Sequence, residues 1–373
     1  MKIAFYCPNK PLDHPNPSGD LTIARSIRDS LLLAGHDCRE IVAFRSRWFW
    51  KSPRGWLSAL RALIEAALAC RRFQPDVWLT YHVYYKSPDV IGPPLARLFR
   101  IPYVLFQPMF GTRRRKDSTT YWGYVLNRPA LRACAHAFTN NINDVGALHR
   151  VIHPKKLTYL PPGIFPETCA RIAGAREQVQ RRYAVPERRH LLLTAARLRT
   201  GVKEESIRFL FDALIELERM RDDWTLLLAG DGPREDALRE AAADALAERV
   251  VFAGGVPREQ MALLYSAADL FVFPGIGESL GMVYLEAQAC GTPVVALESA
   301  GVAQVVANGK TGVLVREPSP TALAKAIASL LDDEATRREM GKASTTFIQT
   351  RRNLHLNYLE LARRLELLAR ATA

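Results

Sequence analysis

Residues Phe273–Ala296 read FPGIGESLGMVYLEAQACGTPVVA, and this stretch is the most informative part of the sequence. The apolar run that ends at Phe273 predicts a buried strand, and a loop with two glycines follows it. The segment Ser279-Leu280-Gly281-Met282 then predicts the start of a helix that continues through Ala289. A strand, a glycine-containing loop, a helix and a second strand are the repeating units of a parallel α/β sheet.

The same alternation continues outward along the whole chain. The apolar runs are almost continuous, which predicts strands covered on both faces, as in parallel doubly wound sheets. In the first half, the predicted strands are Lys2–Cys7, Arg39–Phe44, Asp76–Tyr81, Tyr103–Phe106 and Ala135–Thr139. In the second half, they are Leu191–Ala195, Thr225–Ala229, Val250–Phe252, Leu270–Phe273, Pro293–Leu297 and Gly312–Val315. Predicted helices include Leu21–Ala34, Pro257–Ala267 and a long final helix over about Thr345–Arg370.

Two sets of strands in a chain of 373 residues predict two α/β domains. The segment Leu160-Pro161-Pro162-Gly163 has the composition of a boundary, with two prolines and a glycine between the two patterns. We therefore expect one domain over residues 1–163 and a second over 164–345. The remaining helix, over 346–373, is long enough to cross back to the first domain.

Composition limits the class of protein. The six cysteines are scattered, without a CxxC pair or a metal-like cluster, which is typical of reduced cytosolic thiols. The N-terminal segment MKIAFYCPNK reaches a proline after a short apolar run, so we expect a first strand and not a signal peptide. No apolar run approaches the length of about 18 residues that a membrane span needs. The expectation is a cytoplasmic protein.

Charge is distributed unevenly. The net charge is +13, but residues 1–165 hold 24 Lys and Arg against 10 Asp and Glu. Such asymmetry suggests a polyanionic partner for the first half, either nucleic acid, an anionic membrane or a phosphorylated acceptor, and the alternative is a solvated basic surface. The segment Arg45–Trp56 mixes three Trp, one Phe and several cations, which is typical of a membrane interface, although stacking on nucleic acid or a buried aromatic cluster is also possible. The run Arg113–Lys116 is a second basic segment.

Two glutamates flank the predicted helix start. Glu278 lies just before it, and Glu286 lies about two helical turns further on. Backbone N–H groups at a helix start suit a diphosphate, and carboxylates accept hydroxyl hydrogen bonds from a sugar or a ribose. The alternative is a capped helix with an incidental glutamate on its face, and the Ala-x-Ala-x-Gly-x-Pro-Val-Val continuation argues against it.

This region resembles the retaining family-4 glycosyltransferases of the GT-B fold, whose second domains carry E-S-x-G-x4-E-A-x-A-x-G-x-P-V-V. The matching residues are Glu278, Ser279, Gly281, Glu286, Ala287, Ala289, Gly291, Pro293, Val294 and Val295. The resemblance implies two Rossmann-like domains facing across a cleft, with a nucleotide-sugar donor on the second. It also implies that Glu278 lies by the donor sugar and that Glu286 binds the ribose. The backbone of Ser279, Leu280, Gly281 and Met282 would contact the phosphates.

Three further segments of the second half fit the same family. Arg197, after a predicted strand, and Lys203 match the cations that the family places against the donor diphosphate. Two fixed cations can stabilise a departing nucleoside diphosphate. The turn Gly230-Asp231-Gly232-Pro233 resembles the family's G-x-G-P turn, and Val256 ends a loop that resembles the one meeting the nucleobase. The resemblance therefore makes Arg197, Lys203 and Glu278 the expected catalytic residues.

The first half resembles the family more loosely and is the expected acceptor domain. Gly19, in Ser18-Gly19-Asp20, stands where relatives carry a glycine pair near the donor phosphate. Gln107 stands where relatives often have a histidine, which leaves His82 as the nearest histidine. His82, Gln107 and Arg113 are the predicted acceptor residues. A second departure is Glu204, after Lys203, where relatives often have glycine.

The expected function is transfer of a sugar from a nucleotide-sugar donor to a lipid-linked or cell-surface glycan, with retention of the anomeric configuration. A UDP-sugar is expected as the donor in preference to a GDP-sugar. The absent Asp-x-Asp motif predicts no metal and no cofactor besides the donor, and His149 and His153 lack a carboxylate that would complete a metal site. An anionic membrane surface is the expected further partner, and nucleic acid is not expected. One alternative is a nucleotide-sugar epimerase of the same fold, which would need no acceptor. The other is a non-catalytic nucleic-acid-binding protein, whose affinity for DNA would fall steeply with salt concentration.

Overall fold

The computed structural model of the chain describes residues 1–15 and 19–372. The chain forms two compact units. The first consists of Met1–Pro161 with His355–Ala373, and the second of Pro162–Leu354. Each unit is built around one parallel sheet.

The first unit contains a six-stranded sheet in the order β2-β1-β3-β4-β5-β6, and every pairing in it is parallel. The strands are β1 (Lys2–Tyr6), β2 (Asp37–Glu40), β3 (Val77–Tyr81), β4 (Tyr103–Phe106), β5 (His136–Thr139) and β6 (Leu157–Tyr159). The central strands β3, β4 and β5 are fully buried, as expected for a sheet that carries helices on both faces.

In the described part of this unit, six α-helices surround the sheet. They are α1 (Gly19–Leu33), α2 (Pro53–Phe73), α3 (Gly92–Phe99), α4 (Ser118–Ala133), α5 (Ile142–Leu148) and, from the end of the chain, α13 (Leu354–Arg370). Ser52 caps α2, because its side chain accepts a hydrogen bond from the Gly55 N–H at 3.1 Å and Pro53 occupies the first turn. The final helix contributes Tyr358, whose ring lies 6.4 Å from the Phe106 ring between centroids.

The second unit contains a six-stranded parallel sheet in the order β12-β11-β10-β7-β8-β9. The strands are β7 (His190–Ala195), β8 (Trp224–Ala229), β9 (Val250–Gly254), β10 (Leu270–Val272), β11 (Val294–Leu297) and β12 (Gly312–Val315). The helices are α6 (Ala175–Tyr183), α7 (Val202–Glu218), α8 (Glu235–Leu246), α9 (Arg258–Ala267), α10 (Met282–Ala289), α11 (Pro320–Asp332) and α12 (Glu334–Arg351). The two sheets confirm the predicted doubly wound α/β fold class.

Two predicted elements differ from the structure, and one observed strand has no predicted counterpart. The second strand is Asp37–Glu40 rather than Arg39–Phe44, because the polar segment pairs with β1 at the sheet edge and the apolar residues follow it. The short edge strand Leu157–Tyr159 was not predicted, since its three half-buried residues form no apolar run. The predicted helix over Thr345–Arg370 is two helices, because the Arg352 carbonyl and the Leu354 N–H bond to Ile164 instead of continuing the helix.

The aromatic segment near residue 50 is largely packed. The Phe49 side chain is buried, and its ring lies 5.5 Å from that of Trp50 and 5.0 Å from that of Trp56 between centroids. Trp48 contacts Trp50 and Tyr85. Of the alternatives for Arg45–Trp56, the structure shows the aromatic cluster for residues 48–50. Across residues 1–15 and 19–372, no helix is both long and apolar enough to cross a membrane.

Candidate functional site

The strand order of the second unit creates a crevice at the carboxyl ends of β7 and β10. The chain runs outward from β7 through β8 to β9, and then returns so that β10 pairs with the other edge of β7. Ligands of open α/β sheets bind at such a switch point, outside the carboxyl ends of the strands. The residues that follow these strands are Ala196-Arg197 and Phe273-Pro274, which belong to the segments with the predicted donor residues.

A cavity of about 490 Å³ opens at this edge of the sheet. Loops after β7, β8 and β9 form one side, and α9 and α10 form the other. Its lining residues include the predicted Arg197, Val256 and Glu286, together with Ala195, Ala196, Ala229, Gly230, Asp231, Gly255, Pro257, Met261, Tyr265 and Val283. The Arg197 side chain is 75% exposed and lies 3.6 Å from Asp231 between Nη1 and Oδ1. The Arg197 guanidinium is therefore exposed and is not closely paired with Asp231, so it can contact an anionic ligand.

Glu286 lines this cavity, and neighbouring side chains fix the position of its carboxylate. The Tyr265 hydroxyl donates to its Oε2 at 3.0 Å, and the Arg258 Nη2 lies 3.9 Å from its Oε1. Burial raises the pKa of Glu286, and the Tyr265 hydrogen bond and the Arg258 charge lower it only in part, so that it lies above its ordinary value. The carboxylate thus has a fixed orientation and unused acceptor capacity, which suits the recognition of ligand hydroxyls.

Glu278 and Lys203 form an ion pair at the start of α10. The Lys203 Nζ lies 2.6 Å from the Glu278 Oε2, and the Glu278 Oε1 accepts hydrogen bonds from the N–H groups of Ser279, Leu280 and Gly281 at 3.1, 3.3 and 3.2 Å. Burial raises the pKa of Glu278, but the Lys203 ammonium and the backbone donors outweigh it and hold the pKa below its ordinary value. Three of the four predicted phosphate donors at this helix start, all but Met282, therefore point at a carboxylate of the same chain.

Glycines bring the backbone segments of the crevice together. Gly230 has a φ of +144°, and a Cβ at this position would lie 1.9 Å from the Ala196 carbonyl oxygen. Gly281 has a φ of +65°, and its Cβ would lie 2.5 Å from the Val305 side chain. No side chain fits at either position without displacement of the loop, so the two glycines set the shape of the crevice.

Glu204, the departure from the family pattern, has a clear structural role. Its carboxylate accepts two hydrogen bonds from Arg234, at 2.8 and 2.7 Å, and one from Arg208 at 3.1 Å. Arg234 follows the Gly230-Asp231-Gly232-Pro233 turn, and Glu204 lies in the first turn of α7 beside Lys203. The paired side chains therefore connect the turn to the helix that carries Lys203.

In the first unit, the structure brings His82 and Gln107 together at the carboxyl edge of the sheet. Each follows a strand, β3 or β4, and the His82 N–H donates to the Phe106 carbonyl at 2.8 Å. Both have left-handed backbones, with φ of +61° and +54°. Non-glycine residues in this region are strained, and such strain is concentrated at functional sites. The Gln107 Oε1 accepts a hydrogen bond from the Tyr81 hydroxyl at 3.0 Å.

His82 is buried, yet its Nδ1 has no hydrogen-bond partner within residues 1–15 and 19–372. Its Nε2 lies 4.0 Å from the Asp20 Oδ2. Burial lowers the pKa of His82 and the nearby Asp20 raises it only in part, so the ring is held toward the neutral form. A neutral imidazole with an unused nitrogen has hydrogen-bonding capacity for a hydroxyl.

The other predicted residues of the first unit lie at separate places. Gly19 is the first residue of α1, and the space around its Cβ position is open. Ser18, from the same predicted segment, lies outside the described residues. Arg113 lies in an exposed 3₁₀ segment, Thr112–Lys116, between β4 and α4. The structure therefore groups His82 with Gln107 and leaves Arg113 on the surface.

Several residues of the two sites were not predicted. In the second unit, they are Tyr265 and Arg258, which hold Glu286, and Asp231, which faces Arg197. In the first unit, they are Asp20 and Asn9, whose amide oxygen lies 3.3 Å from the hydroxyls of Tyr84 and Ser87. Asn9 follows β1, and the β1–β3 junction is the switch point of that sheet, so strand order is the signal that points to it. Tyr265 lies within a helix, and no local pattern distinguishes it.

Comparison with known proteins identifies a family. The protein family described as "Glycosyl transferases group 1" matches residues 175–347, which include the residues that line the cavity and helix α10. The chain is 37% identical over 195 residues to a GDP-mannose-dependent alpha-(1-6)-phosphatidylinositol monomannoside mannosyltransferase of Mycolicibacterium smegmatis, an alignment that covers 50% of each chain. The chain thus matches about half the length of this relative.

Two other similarities extend over more of the chain. A D-inositol 3-phosphate glycosyltransferase of Corynebacterium diphtheriae is 33% identical over 304 residues, which is 77% of this chain and 70% of that protein. The crystal structure of Anabaena HepE in complex with UDP has the same fold, with a TM-score of 0.75, 19% identity and coverage of 98% of this chain and 100% of that chain. The chain therefore belongs to the group 1 glycosyl transferases, of the family-4 type with the GT-B fold.

Proposed function

We propose that the chain transfers a sugar from a nucleoside-diphosphate sugar to an acceptor hydroxyl. One observation carries this proposal. Helix α10 begins at the Lys203–Glu278 pair and also presents Glu286 to the cavity that contains Arg197 and Val256. A single helix thus connects a place for a diphosphate with a place for a nucleoside.

The donor has a complementary group for each of its parts. Glu286 would accept the ribose hydroxyls, and Val256 and the neighbouring backbone would contact the base. Arg197 and Lys203 would face the diphosphate, with the N–H groups at the start of α10. Because Glu278 occupies those donors in the structure, an arriving phosphate would compete with its carboxylate for them. Glu278, once displaced, would be free to accept a hydrogen bond from a sugar hydroxyl.

The chemistry that this arrangement favours is stabilisation of the leaving group. The bond between the anomeric carbon and the phosphate oxygen breaks, and the acceptor oxygen forms a bond to the same carbon. The acceptor proton passes to the departing phosphate oxygen, attack comes from the same face, and the configuration is retained. Arg197 and Lys203 stabilise the charge that grows on the phosphate, a role that a metal ion has in other transferases. We therefore propose a retaining reaction that needs no metal.

Two classes of nucleotide sugar are the proposed donors. A UDP-sugar is the sequence-based expectation, and Anabaena HepE binds UDP. The mannosyltransferase relative is named for GDP-mannose, and its 37% identity favours GDP-mannose as the first donor to test. Both bring the same diphosphate to Arg197 and Lys203.

The acceptor is proposed to be a lipid-linked or cell-surface glycan, bound by the first unit. His82 and Gln107 would contact the reacting hydroxyl, and Arg113 would contact an acceptor phosphate. The relative named for phosphatidylinositol monomannoside supports an acceptor with a phosphoinositol lipid. Such an acceptor resides in a membrane, so the protein would act on the cytoplasmic side as a peripheral protein.

A nucleotide-sugar epimerase is the alternative for the same fold. It would use the second unit in the same way but would need no acceptor. The strained His82 and Gln107 pair and the excess of positive charge in residues 1–165 favour a transferase, since an epimerase has no use for an acceptor surface.

The test is a panel of UDP- and GDP-sugars, first by thermal shift and then by mass spectrometry with a phosphoinositol lipid acceptor. A donor at about 100 times its dissociation constant stabilises the protein by about 2.7 kcal/mol. We expect one nucleotide class to stabilise the protein, and a glycosylated acceptor to form in the presence of excess EDTA. A changed sugar without an acceptor would establish the epimerase, and activity lost in EDTA but restored by Mg²⁺ or Mn²⁺ would overturn metal independence. No stabilisation by any donor would overturn the proposed function.

A further inference from the structure

Helix α2 has an unusual distribution of side-chain sizes. Its buried face consists mostly of small residues, namely Ala59, Ala62, Ala66 and Cys70, with Phe73 at its end. Its outward face carries the large apolar residues Trp56, Leu57, Leu60, Ile64 and Leu68, each between 49% and 54% exposed. A surface helix of a globular protein normally has the reverse arrangement. At a spacing of about four residues, the outward side chains form one continuous stripe along the helix.

Cations line one edge of this stripe. Arg54, Arg61 and Arg72 are separated by seven and eleven residues, which are close to two and three whole turns of a helix, so they lie on the same flank. All three are exposed. Glu65, the one carboxylate in α2, lies eleven residues after Arg54 and therefore on the same flank, where the three arginines outnumber it. The helix therefore presents an apolar stripe with a positive border.

More positive charge adjoins the start of α2 through the aromatic cluster of residues 48–50. Phe49 packs against Trp56 of α2, and Trp48 contacts Tyr85. The guanidinium of Arg114, from the exposed basic segment Thr112–Lys116, lies over the Tyr85 ring at 4.3 Å. The same cluster thus connects the beginning of the apolar stripe to four consecutive exposed cations.

We infer that the outward face of α2 is a docking surface for an anionic lipid bilayer. Large apolar side chains would enter the interface between headgroups and acyl chains, and the bordering arginines and the basic segment would meet the lipid phosphates. A second copy of the chain does not fit as well, because it would bring two positively charged faces together. The excess of 24 Lys and Arg over 10 Asp and Glu in residues 1–165 suits an anionic surface and opposes self-association.

This docking surface would place the protein at the membrane that contains the proposed acceptor. The inference rests on the proposed membrane-resident acceptor, because docking through α2 would hold the first unit at the surface where that acceptor is presented. The Trp48, Phe49 and Trp50 rings, which pack among themselves, are not its main element. The apolar side chains that enter the bilayer are those of α2.

The experiment is flotation of the full chain with vesicles of phosphatidylglycerol and phosphatidylcholine, compared with vesicles of phosphatidylcholine alone. We expect binding to the anionic vesicles that weakens with salt. The triple variant L60S/I64S/L68S should bind about tenfold less or weaker still, since membrane affinity scales with inserted apolar area. The matched control is L356S/L359S/L367S, which changes three exposed leucines of α13 and should bind like the unmodified chain.

The outcomes separate this inference from the proposed function. Donor stabilisation measured without lipid should be equal in the unmodified chain and in both triple variants. If the unmodified chain is stabilised by donor but does not float, or if L60S/I64S/L68S floats normally, the docking surface is wrong and the transferase proposal stands. If sedimentation equilibrium instead shows a dimer that L60S/I64S/L68S abolishes, without vesicle binding, the face is a contact between copies. If the chain floats through α2 but no donor stabilises it, the surface is right and the proposed activity is wrong.

Discussion

At the residue scale, Glu278 has four hydrogen bonds in the proposed donor site. It accepts from Lys203 and from three backbone N–H groups, and only 15% of its side chain is exposed. Its carboxylate is an internal counter-ion for the Lys203 ammonium and for the backbone N–H groups before α10. Under the proposed function, the phosphate of a donor would compete with this carboxylate for the three N–H groups.

Glu278→Gln should reveal the contribution of the Glu278 charge through the pH dependence of the free energy of unfolding. Because the folded-state pKa of Glu278 lies below the ordinary value of 4.5, its charge stabilises the folded protein above the unfolded-state pKa and ceases to do so as the pH falls through the folded-state pKa. Without donor, the variant should lose about 1.5–3 kcal/mol at neutral pH, the usual contribution of hydrogen bonds to a charged group. The deficit should shrink below pH 4.5, as measured by denaturant unfolding.

The matched control is Glu298→Gln, which removes an ion pair with Arg316 whose side chain is 83% exposed. Such surface pairs contribute about 0–1 kcal/mol, so this variant should unfold like the unmodified protein at each pH. An equal deficit for Glu278→Gln at neutral and acidic pH would show that the lost stability comes from packing rather than from charge.

At the element scale, most of the fold could be predicted and the site only in part. Strands such as Tyr103–Phe106 and Gly312–Val315 were predicted with their observed bounds, because a continuous apolar run is a direct consequence of burial on both faces. Polar edge strands such as Asp37–Glu40 have no such run. For the site, the sequence indicated Glu278 and Lys203 through a motif, but the Tyr265–Glu286 hydrogen bond depends on how α9 packs against α10 and has no local signal.

The turn after β8 offers a prediction about how elements are joined. Gly230→Ala would bring a methyl group to 1.9 Å from the Ala196 carbonyl oxygen, at a φ of +144°. The loops after β7 and β8 would have to separate, so we expect a cost of more than about 3 kcal/mol and loss of nucleotide binding. Denaturant unfolding and titration with a nucleoside diphosphate measure the two effects.

Gly309→Ala isolates the cost of backbone strain alone. Gly309 also has a positive φ, +73°, but no atom lies within 4 Å of its Cβ position. Its substitution should cost about 1–2 kcal/mol and leave nucleotide binding unchanged. Equal costs for the two alanine variants would mean that the close approach to Ala196 does not constrain the crevice.

At the scale of the whole molecule, the end of the chain belongs to the first unit. Helix α13 follows the second unit in sequence, yet it buries Tyr358, Leu361 and Leu365 against the first. Leu361→Ala should therefore destabilise the first unit by about 2–5 kcal/mol, as expected for a buried leucine. Hydrogen exchange should rise in strands such as β3 and β4 and remain slow in β7 and β8.

Leu359→Ala is the control, because Leu359 lies on the same helix and is 44% exposed. Its effect should fall within about 0.5 kcal/mol, as is usual for surface positions. If Leu361→Ala instead increases exchange in β7 and β8 while β3 and β4 stay protected, the assignment of α13 to the first unit is incorrect.

The central claim, that the second unit holds a nucleotide sugar and assists departure of its diphosphate, is tested most directly by the kinetics of Lys203→Ala and Glu286→Ala, with Lys325→Ala on the outside of α11 as control. Lys203 is proposed to stabilise charge that grows as the bond breaks, so its loss should lower kcat by about 100- to 1000-fold. Glu286 is proposed to bind the ribose away from that bond, so its loss should mainly weaken binding of donor and free nucleoside diphosphate. Lys325→Ala should match the unmodified enzyme. A normal kcat for Lys203→Ala, together with normal diphosphate binding by Glu286→Ala, would contradict the account.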